Sequence, residues 1–412
     1  MGYTKDVIKG VSWAGALSFL TKAVGFLETL ILARILAPAQ FGAYGIALLA
    51  LGLLETLTET GVNIVLVQEK ETAPHISSAW IVSIGRGLVI TLLLYLTSPF
   101  IASFFHSPTS LLLLQLISIV PFLRGFINPA VVTFQKELKF RKYFWYQAVI
   151  LFVDTAVSII VTLITRQPIG IVIGLLSGVA VELAFSFLFA SPRPTFSFQK
   201  EYVSKIFHRG KWITLSAIFN YLFFNADNIA VGRLLGAGAL GVYQLGYSLA
   251  VMPLIQISVV FGFVTFPIFT KLAHDRYRLK NAFLRTIVSV FILSIPFVIL
   301  FVIFPEFFVF ILGEKWKNII IILPILSLLG IIKSLTNTVT ASLFLSEVKQ
   351  NYSTTVTVVT IVGMLATLIP FIHMYGIFGA ALSALTGAVI AIPFIVYYTV
   401  KIFRERSGAH LH

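Results

Sequence analysis

Eleven ionisable residues stand inside long apolar runs of this sequence: Lys22, Glu28, Glu55, Glu59, Arg86, Arg124, Asp154, Glu182, Asp227, Arg285 and Lys333. A cation in such a setting can hold a phosphate, arginine through paired N–H donors and lysine as a compact charge. A carboxylate there can take up a proton or a metal cation, accept hydrogen bonds from hydroxyls, or neutralise a nearby base. Each such charge costs about 2.5–3.5 kcal/mol at the centre of a membrane helix. The residues are therefore expected either to face a hydrated, ligand-handling cavity or to form buried ion pairs, for instance Glu28 or Glu55 against Lys22. Any single residue fits either account. Compensating all eleven in pairs would demand excellent geometry throughout, so the set as a whole favours a cavity.

Spacing supports the cavity. Ser18, Thr21, Lys22, Gly25, Glu28 and Thr29 recur at steps of three or four, a single polar stripe on a helix. Leu17, Leu20, Val24, Leu27 and Ile31 form the opposite, apolar side. Glu55, Glu59 and Asn63 follow four-residue steps, and Ser216, Asn220 and Asp227 make a thinner stripe. Counted from the ends of their runs, Lys22, Arg86, Arg124 and Lys333 lie near mid-depth. Arg285 lies close to one edge, where its long side chain can reach the interface.

The elements that carry these residues follow from composition. Of 412 residues 58% are hydrophobic and 11% charged, and the mean hydropathy is +0.97. Soluble domains are about 45–50% apolar and about 25% charged, so the excess needs a bilayer as its solvent. A crossing takes about 20 apolar residues, and twelve runs qualify: 12–36, 40–67, 77–101, 110–135, 143–165, 168–190, 211–234, 238–270, 282–304, 318–345, 352–373 and 376–400. The first is read as a span rather than a signal segment, and the eighth is overlong, with Pro253 and Pro267 as places where it can bend or end. The runs lack the alternation of a membrane barrel, so the expected class is an all-α integral membrane protein.

The formal charge of +14 is a topology signal rather than a mark of nucleic-acid binding. With the N-terminus inside, 20 of the 30 lysines and arginines fall on the inner side, 5 on the outer side and 5 within spans. The expected arrangement is a multi-pass cell-membrane protein with both termini cytoplasmic. Residues 191–210 form the longest connection and read as a linker between an N-terminal lobe, 1–190, and a C-terminal lobe, 211–412.

Sliding the chain by 199 residues supports that division. It aligns Trp13 with Trp212, Glu28 with Asp227, Arg34 with Arg233, Leu36 with Leu235, Gly42 with Gly241, Tyr44 with Tyr243 and Arg86 with Arg285. RILAPAQFGAY at 34–44 and RLLGAGALGVY at 233–243 are thus two copies of one turn. Six spans in each half would relate the lobes by a pseudo-two-fold axis along the membrane normal. The second copy contains G-x-G-x-x-G at 236–241. A dinucleotide site would need a strand before it and an acid about 20 residues after it; the sequence has an apolar helix and QISVVF at 256–261. The glycines are read as a tight turn, for which Pro38 substitutes in the first copy.

Six stretches, in this order, carry a resemblance over nearly the whole chain: ARILAPAQFGAYGIA (33–47), ETGVNIVLVQEKE (59–71), SFFHSP (103–108), FQKELKFRKYFWYQ (134–147), ADNIAVGRLLGAGALGVYQLGYSLA (226–250) and LGEKW (312–316). The sequence resembles the oligosaccharide flippases of the polysaccharide transporter family. Their superfamily also holds the multidrug and toxic-compound extrusion (MATE) transporters and the lipid II flippases. The resemblance implies twelve helices in two six-helix lobes around a central cationic cavity, with alternating access. It implies as cargo a polyprenyl-(pyro)phosphate-linked oligosaccharide moved to the outer leaflet for polysaccharide or glycoconjugate synthesis. Asp227, Gly232, Arg233, Leu235, Gly236, Gly241 and Tyr243 match the family's pattern at the turn between the seventh and eighth helices and read as architectural.

With that cargo, Lys22, Arg86, Arg124, Lys333 and Arg285 are the candidate phosphate-binding cations. Glu28, Glu55, Glu59, Asp154 and Asp227 are candidates for a polar cavity wall or for coupling to Na+ or H+. Arg34, Gly42, Tyr44, Arg233, Gly241 and Tyr243 form the repeat motif. No cofactor or resident metal is expected, no nucleic-acid partner, and a monomer. The competing reading is a cation-coupled exporter of the MATE type, which would want an acidic or aromatic pocket. An enzyme is disfavoured: no H-E-x-x-H or Walker-type glycine loop occurs, and His75, His106, His208, His274 and His373 are scattered.

Overall fold

The structure, a computed structural model, describes residues 2–58, 73–197 and 200–404. Every regular element among the described residues is helical. Two compact units emerge: Met1–Asn225 with Gly236–Gly238, and Ala226–Leu235 with Ala239–His412.

In the first unit, two residues separate α1 (Gly2–Ile35) from α2 (Pro38–Leu57). Proline suits this start, because its missing N–H would have no intrahelical partner there. The Gln40 side chain accepts from the Ala37 N–H at 2.8 Å and donates to the Arg166 carbonyl at 3.1 Å. The second span was expected to reach 67. Instead α2 closes at Leu57 with Thr58 as its C-cap, and 59–67 lie outside the described residues.

The long α3 (Ala73–Phe104) follows, and then the expected single span over 110–135 is corrected to a broken one. It comprises α4 (Ser110–Ile117), α5 (Ile119–Gly125), a 3-10 turn (Pro129–Val131) and α6 (Val132–Lys136). The stretches Ser110–Gly125 and Pro129–Lys136 meet at 71°. The cause is local: Pro129 offers no N–H to continue a helix, and buried Asn128 supplies the bonds the break exposes. Its Oδ1 accepts from the Ala130 N–H at 2.9 Å, and its Nδ2 donates to the Pro192 carbonyl at 3.2 Å. The Trp80 indole donates to the Phe126 carbonyl at 2.9 Å.

The unit is completed by α7 (Phe140–Thr165) and α8 (Ile169–Phe189). These two pack through Gly170, Gly174 and Gly178, four residues apart, against Thr162, Ser158 and Asp154 at the same spacing. A Cβ on Gly174 would stand 2.7 Å from the Asp154 carbonyl oxygen. Small residues at this repeat let membrane helices approach closely. The core joins Ala43, Ala47 and Leu51 of α2 to Ile90 and Leu94 of α3, Leu114 of α4 and Val172 of α8.

The next helix, α9 (Lys200–Ala250), begins inside the segment read from sequence as a linker. It is interrupted at Gly236, whose φ of 84° and ψ of 175° are not helical. Of the three glycines in GAGALG, Gly236 alone has a positive φ; Gly241 is buried within the following helix. The turn reading of the motif holds, and it rests on one glycine rather than three.

In the second unit the overlong eighth span breaks at Val251, beside Pro253 as expected: α10 (Met252–Leu272) has Pro253 in its first turn and Pro267 inside it. Then come α11 (Arg276–Ile303), the short α12 (Pro305–Leu312) and α13 (Ile319–Ser334). A π-helical stretch, Leu335–Thr340, leads into α14 (Ala341–Ser346). The last helix, α15 (Gln350–Arg404), runs 55 residues, about 80 Å at 1.5 Å per residue. That is far more than one crossing of about 30 Å, and Gly376 breaks it at φ 59°. Phe269, Phe283, Leu343, Phe344, Tyr352 and Ile402 are central to this unit's core.

Among the described residues, nine helical stretches are long and apolar enough to cross a membrane, and ten when the bent pair is counted as one. The chain is therefore a multi-pass, all-α membrane protein.

Candidate functional site

Two of the sequence-predicted cations sit in R-G dipeptides, Arg86-Gly87 and Arg124-Gly125. Both glycines are buried where α3 meets α5. A Cβ on Gly87 would stand 2.3 Å from the Pro121 carbonyl oxygen, and one on Gly125 would stand 2.8 Å from that of Ser83. Only glycine lets the two backbones come this close. The contact fixes the adjacent arginines on neighbouring helices.

Their tasks differ. Arg86 donates through Nη2 to the Glu55 carbonyl at 2.7 Å and through Nε to the Thr58 hydroxyl at 3.2 Å. It thereby caps the end of α2, where free carbonyls and the negative pole of the helix favour a cation. Among the described residues Arg124 makes one ion pair, Nη1 to Glu55 Oε1 at 3.2 Å, and its side chain remains 42% exposed. A guanidinium has five N–H donors, so most of this one stays open to a ligand.

These groups line a cavity of about 800 Å³ in the first unit, built from α2, α3, α5, the 3-10 turn at Pro129, α6, α7 and α8. Glu55 and Glu182 supply its acids, Arg86 and Arg124 its bases, and Gln135, Tyr143 and Gln147 its uncharged donors and acceptors. The arrangement can hold an anion on Arg124 and hydrogen-bond polyhydroxylated groups around it. In the sequence 134–147 stands out only as one of the stretches that carry the family resemblance, and Gln135, Tyr143 and Gln147 are not among the candidate site residues. Gln147 lies four residues after Tyr143, one helical turn on, and that spacing was the available signal.

The first unit holds a second polar group between α1 and α7. Glu28 Oε2 accepts from the Thr155 hydroxyl at 2.9 Å, and the neighbouring Asp154 lies 3.4 Å from the Ser158 hydroxyl. Lys22 is exposed on α1 and forms no ion pair with Glu28 or Glu55 among the described residues. Glu59 lies outside the described residues.

In the second unit, Asp227 is buried and engaged on both oxygens. Its Oδ2 accepts from the Tyr243 hydroxyl at 2.7 Å, and its Oδ1 from the Asn228 N–H at 2.8 Å. The repeat motif thus braces the helices either side of Gly236, with Tyr243 fully buried. Lys333 donates to the Tyr247 hydroxyl at 3.1 Å and lies 5.2 Å from that ring's centre, just before the π-helical stretch. Arg285 is exposed on α11. In the first copy of the motif Gly42 is buried and Tyr44 packs on the core of its unit, while Arg34 and Arg233 end the helices that precede the two turns.

The chain has recognisable relatives. A family model described as polysaccharide biosynthesis protein matches residues 31–321. The lipopolysaccharide biosynthesis protein WzxC of Escherichia coli (strain K12) is 26% identical over 357 residues, 86% of this chain and 72% of the relative. The teichuronic acid biosynthesis protein TuaB of Bacillus subtilis (strain 168) is 24% identical over 348 residues, 81% and 70% of the two chains. Among solved structures, the lipid II flippase MurJ in an inward closed conformation superposes with a TM-score of 0.70 at 14% identity, covering 95% of this chain and 89% of its own. An inward-facing MATE family transporter of the MOP superfamily gives 0.67 at 17%, covering 92% and 94%. At such identities the likeness is one of fold, and the fold is that of these transporters.

Proposed function

The chain belongs to the polysaccharide biosynthesis protein family, and on that premise we propose that it flips a polyprenyl-(pyro)phosphate-linked oligosaccharide from the cytoplasmic to the outer leaflet. The observation that carries the reading is Arg124, an arginine with donors to spare among the described residues, in a cavity also lined by Gln135, Tyr143 and Gln147. A phosphorylated head group gains charge-assisted bonds from the guanidinium, and sugar hydroxyls suit the amides and the phenol. A pocket for organic cations would be built the other way, from acids and aromatic faces. The relatives' names place them in lipopolysaccharide and teichuronic acid biosynthesis, which supports a glycan-bearing cargo.

The transport cycle follows from the site. Cargo phosphate displaces Glu55 from Arg124, which removes the ion pair's share of the site's rigidity and shifts the balance between two states. Alternating access by two lobes of six helices is the accompanying motion. Twelve crossings is the arrangement this reading requires, and the breaks at Gly236 and Gly376 are where two more would be added to the ten of the described residues. Glu28 and Asp154 are the groups through which Na+ or H+ would drive the cycle, with both termini on the cytoplasmic side and one chain as the working unit. No bond is made or broken in the cargo.

The test is reconstitution in liposomes with a defined lipid-linked oligosaccharide and a glycan-modifying enzyme that reads outer-leaflet exposure. The wild-type chain is expected to expose the glycan, and Arg124→Ala at equal protein density to reduce the rate at least tenfold. Equal rates with and without the protein overturn the proposal.

A further inference from the structure

The first unit has a second and larger cavity, about 1190 Å³, lined by residues of α1, α7 and α8 and by the turn 137–139. Lys139, Arg141 and Lys142 supply its positive charge and Glu137 an acid beside them, while Trp13, Trp145 and Phe189 supply aromatic walls. Two of the cations are already engaged. Lys139 pairs with Glu137, whose carboxyl is held below the usual carboxylate range by the hydrogen bond from Lys139 and by that lysine's charge. Lys142 donates to the Phe189 carbonyl at 2.7 Å and sits 4.6 Å from the centre of the Phe134 ring. Arg141 is exposed and has neither a hydrogen bond nor an ion pair among the described residues.

We infer that this pocket is a binding site for an anionic glycerophospholipid, whose phosphodiester sits on Arg141 and Lys142 while its acyl chains lie against Trp145 and Phe189. The cavity lies at the first turns of α7 and the last turns of α8. There Trp145 is 56% and Phe189 48% exposed, so the aromatic wall is continuous with the exposed apolar surface of the helices. Tryptophan beside basic residues is the side-chain chemistry of a membrane interface, and basic pockets between membrane helices are suited to anionic lipid head groups.

The lining argues against the glycan-bearing cargo as the occupant. The 800 Å³ cavity presents two glutamines and a tyrosine to hydroxyl groups. Among the described residues this one presents no amide side chain, and its tyrosine, Tyr146, already donates to the Glu182 carbonyl at 3.2 Å. A small head group fits such a wall better than a sugar chain. The inference concerns a site separate from Arg124 and does not depend on what the chain transports.

Binding is measured on the full-length protein in detergent micelles by native mass spectrometry, titrating dioleoyl phosphatidylglycerol, dioleoyl phosphatidylcholine and undecaprenyl phosphate in separate arms. Phosphatidylglycerol is expected to be retained at least fivefold more tightly than phosphatidylcholine. Arg141→Gln should weaken phosphatidylglycerol about fivefold, the equivalent of about 1 kcal/mol for one basic residue at an anionic surface. Arg141→Lys should retain most of the preference, and Lys280→Gln, an exposed cation on α11 remote in sequence, should leave it intact. Equal retention of the two phospholipids overturns the inference, as does a loss with Lys280→Gln that equals the loss with Arg141→Gln. Retention of undecaprenyl phosphate alone, abolished by Arg141→Gln, also overturns it. Should Arg141→Gln fail to fold, the comparison of lipids on the wild-type chain and on Arg141→Lys decides.

Discussion

Leu138 and Val348 hold the same left-handed backbone conformation, with φ of 57° and 58°. Each stands between a glutamate and a lysine, Glu137 and Lys139 in one unit, Glu347 and Lys349 in the other. The hydrogen bonds match: Lys139 N–H to the Phe134 carbonyl and Lys349 N–H to the Phe344 carbonyl, both 2.8 Å. This is a helix C-terminal turn, and F-x-x-E-[LV]-K at 134–139 and 344–349 is its sequence. The copies lie 210 residues apart rather than the 199 of the repeat seen at Arg34 and Arg233.

Left-handed backbone is costly for a β-branched residue, about 1–2 kcal/mol relative to glycine. Val348 is 80% exposed, so its removal forfeits little packing. Val348→Gly is expected to stabilise the protein by about 0.5–1 kcal/mol after the loss of chain stiffness, a small rise in the midpoint of thermal unfolding in detergent. Val348→Pro cannot adopt the required φ and should lower it sharply. A fall with Val348→Gly would mean that the side chain has a partner beyond its own turn.

Arg86 and Arg124 should separate stability from transport. Arg86→Ala leaves the Glu55 carbonyl and the Thr58 hydroxyl without their donor, and hydrogen bonds to a charged group contribute about 1.5–3 kcal/mol each. Its unfolding midpoint should drop by several degrees. Arg124→Ala removes one half-exposed ion pair worth about 0–1 kcal/mol, so its midpoint should stay near wild type while glycan exposure in liposomes falls at least tenfold. The reverse pattern would reassign the two residues.

Glu55→Gln tests whether the acid restrains Arg124. The glutamine can still hydrogen-bond but no longer competes as an anion, so cargo phosphate should bind more tightly and leave more slowly. A several-fold lower apparent KM with an equal or lower turnover is expected in the liposome assay. Complete inactivity together with a normal unfolding midpoint would instead make the carboxylate itself part of transport. Lys22→Ala belongs in the same assay: as an exposed cation on α1 it should slow translocation with unchanged insertion, and wild-type activity would remove it from the site.

The contact of α7 with α8 leaves no room for a side chain at Gly174. Gly174→Val is expected to abolish the monodisperse peak in size-exclusion chromatography, because the obstructing Asp154 carbonyl belongs to a helix backbone and cannot rotate away. Gly85→Val is the control, since nothing lies within 4 Å of a Cβ there; it should purify normally.

The sequence alone determined the class of the protein, most of its spans and the turn shared by Arg34 and Arg233. These rest on local quantities: the transfer free energy of an apolar run, and the turn chemistry of Pro38 and Gly236. A single sliding offset could not find the F-x-x-E-[LV]-K copies, because the spacing between the two turns changes by 11 residues within the second unit. Nor could hydropathy find the break at Asn128, since Pro129 and the flanking apolar residues average to an ordinary span. What the tertiary structure decided is the fate of each charge. Arg86 and Arg124 look alike in sequence, each followed by glycine. One caps α2 and the other is left open, because the Gly87 and Gly125 contacts set the two helices so that Arg86 reaches the terminal carbonyls of α2 while Arg124 meets only the Glu55 side chain. Which carboxylate meets which cation is a property of helix faces brought together from distant parts of the chain, and no local pattern encodes it.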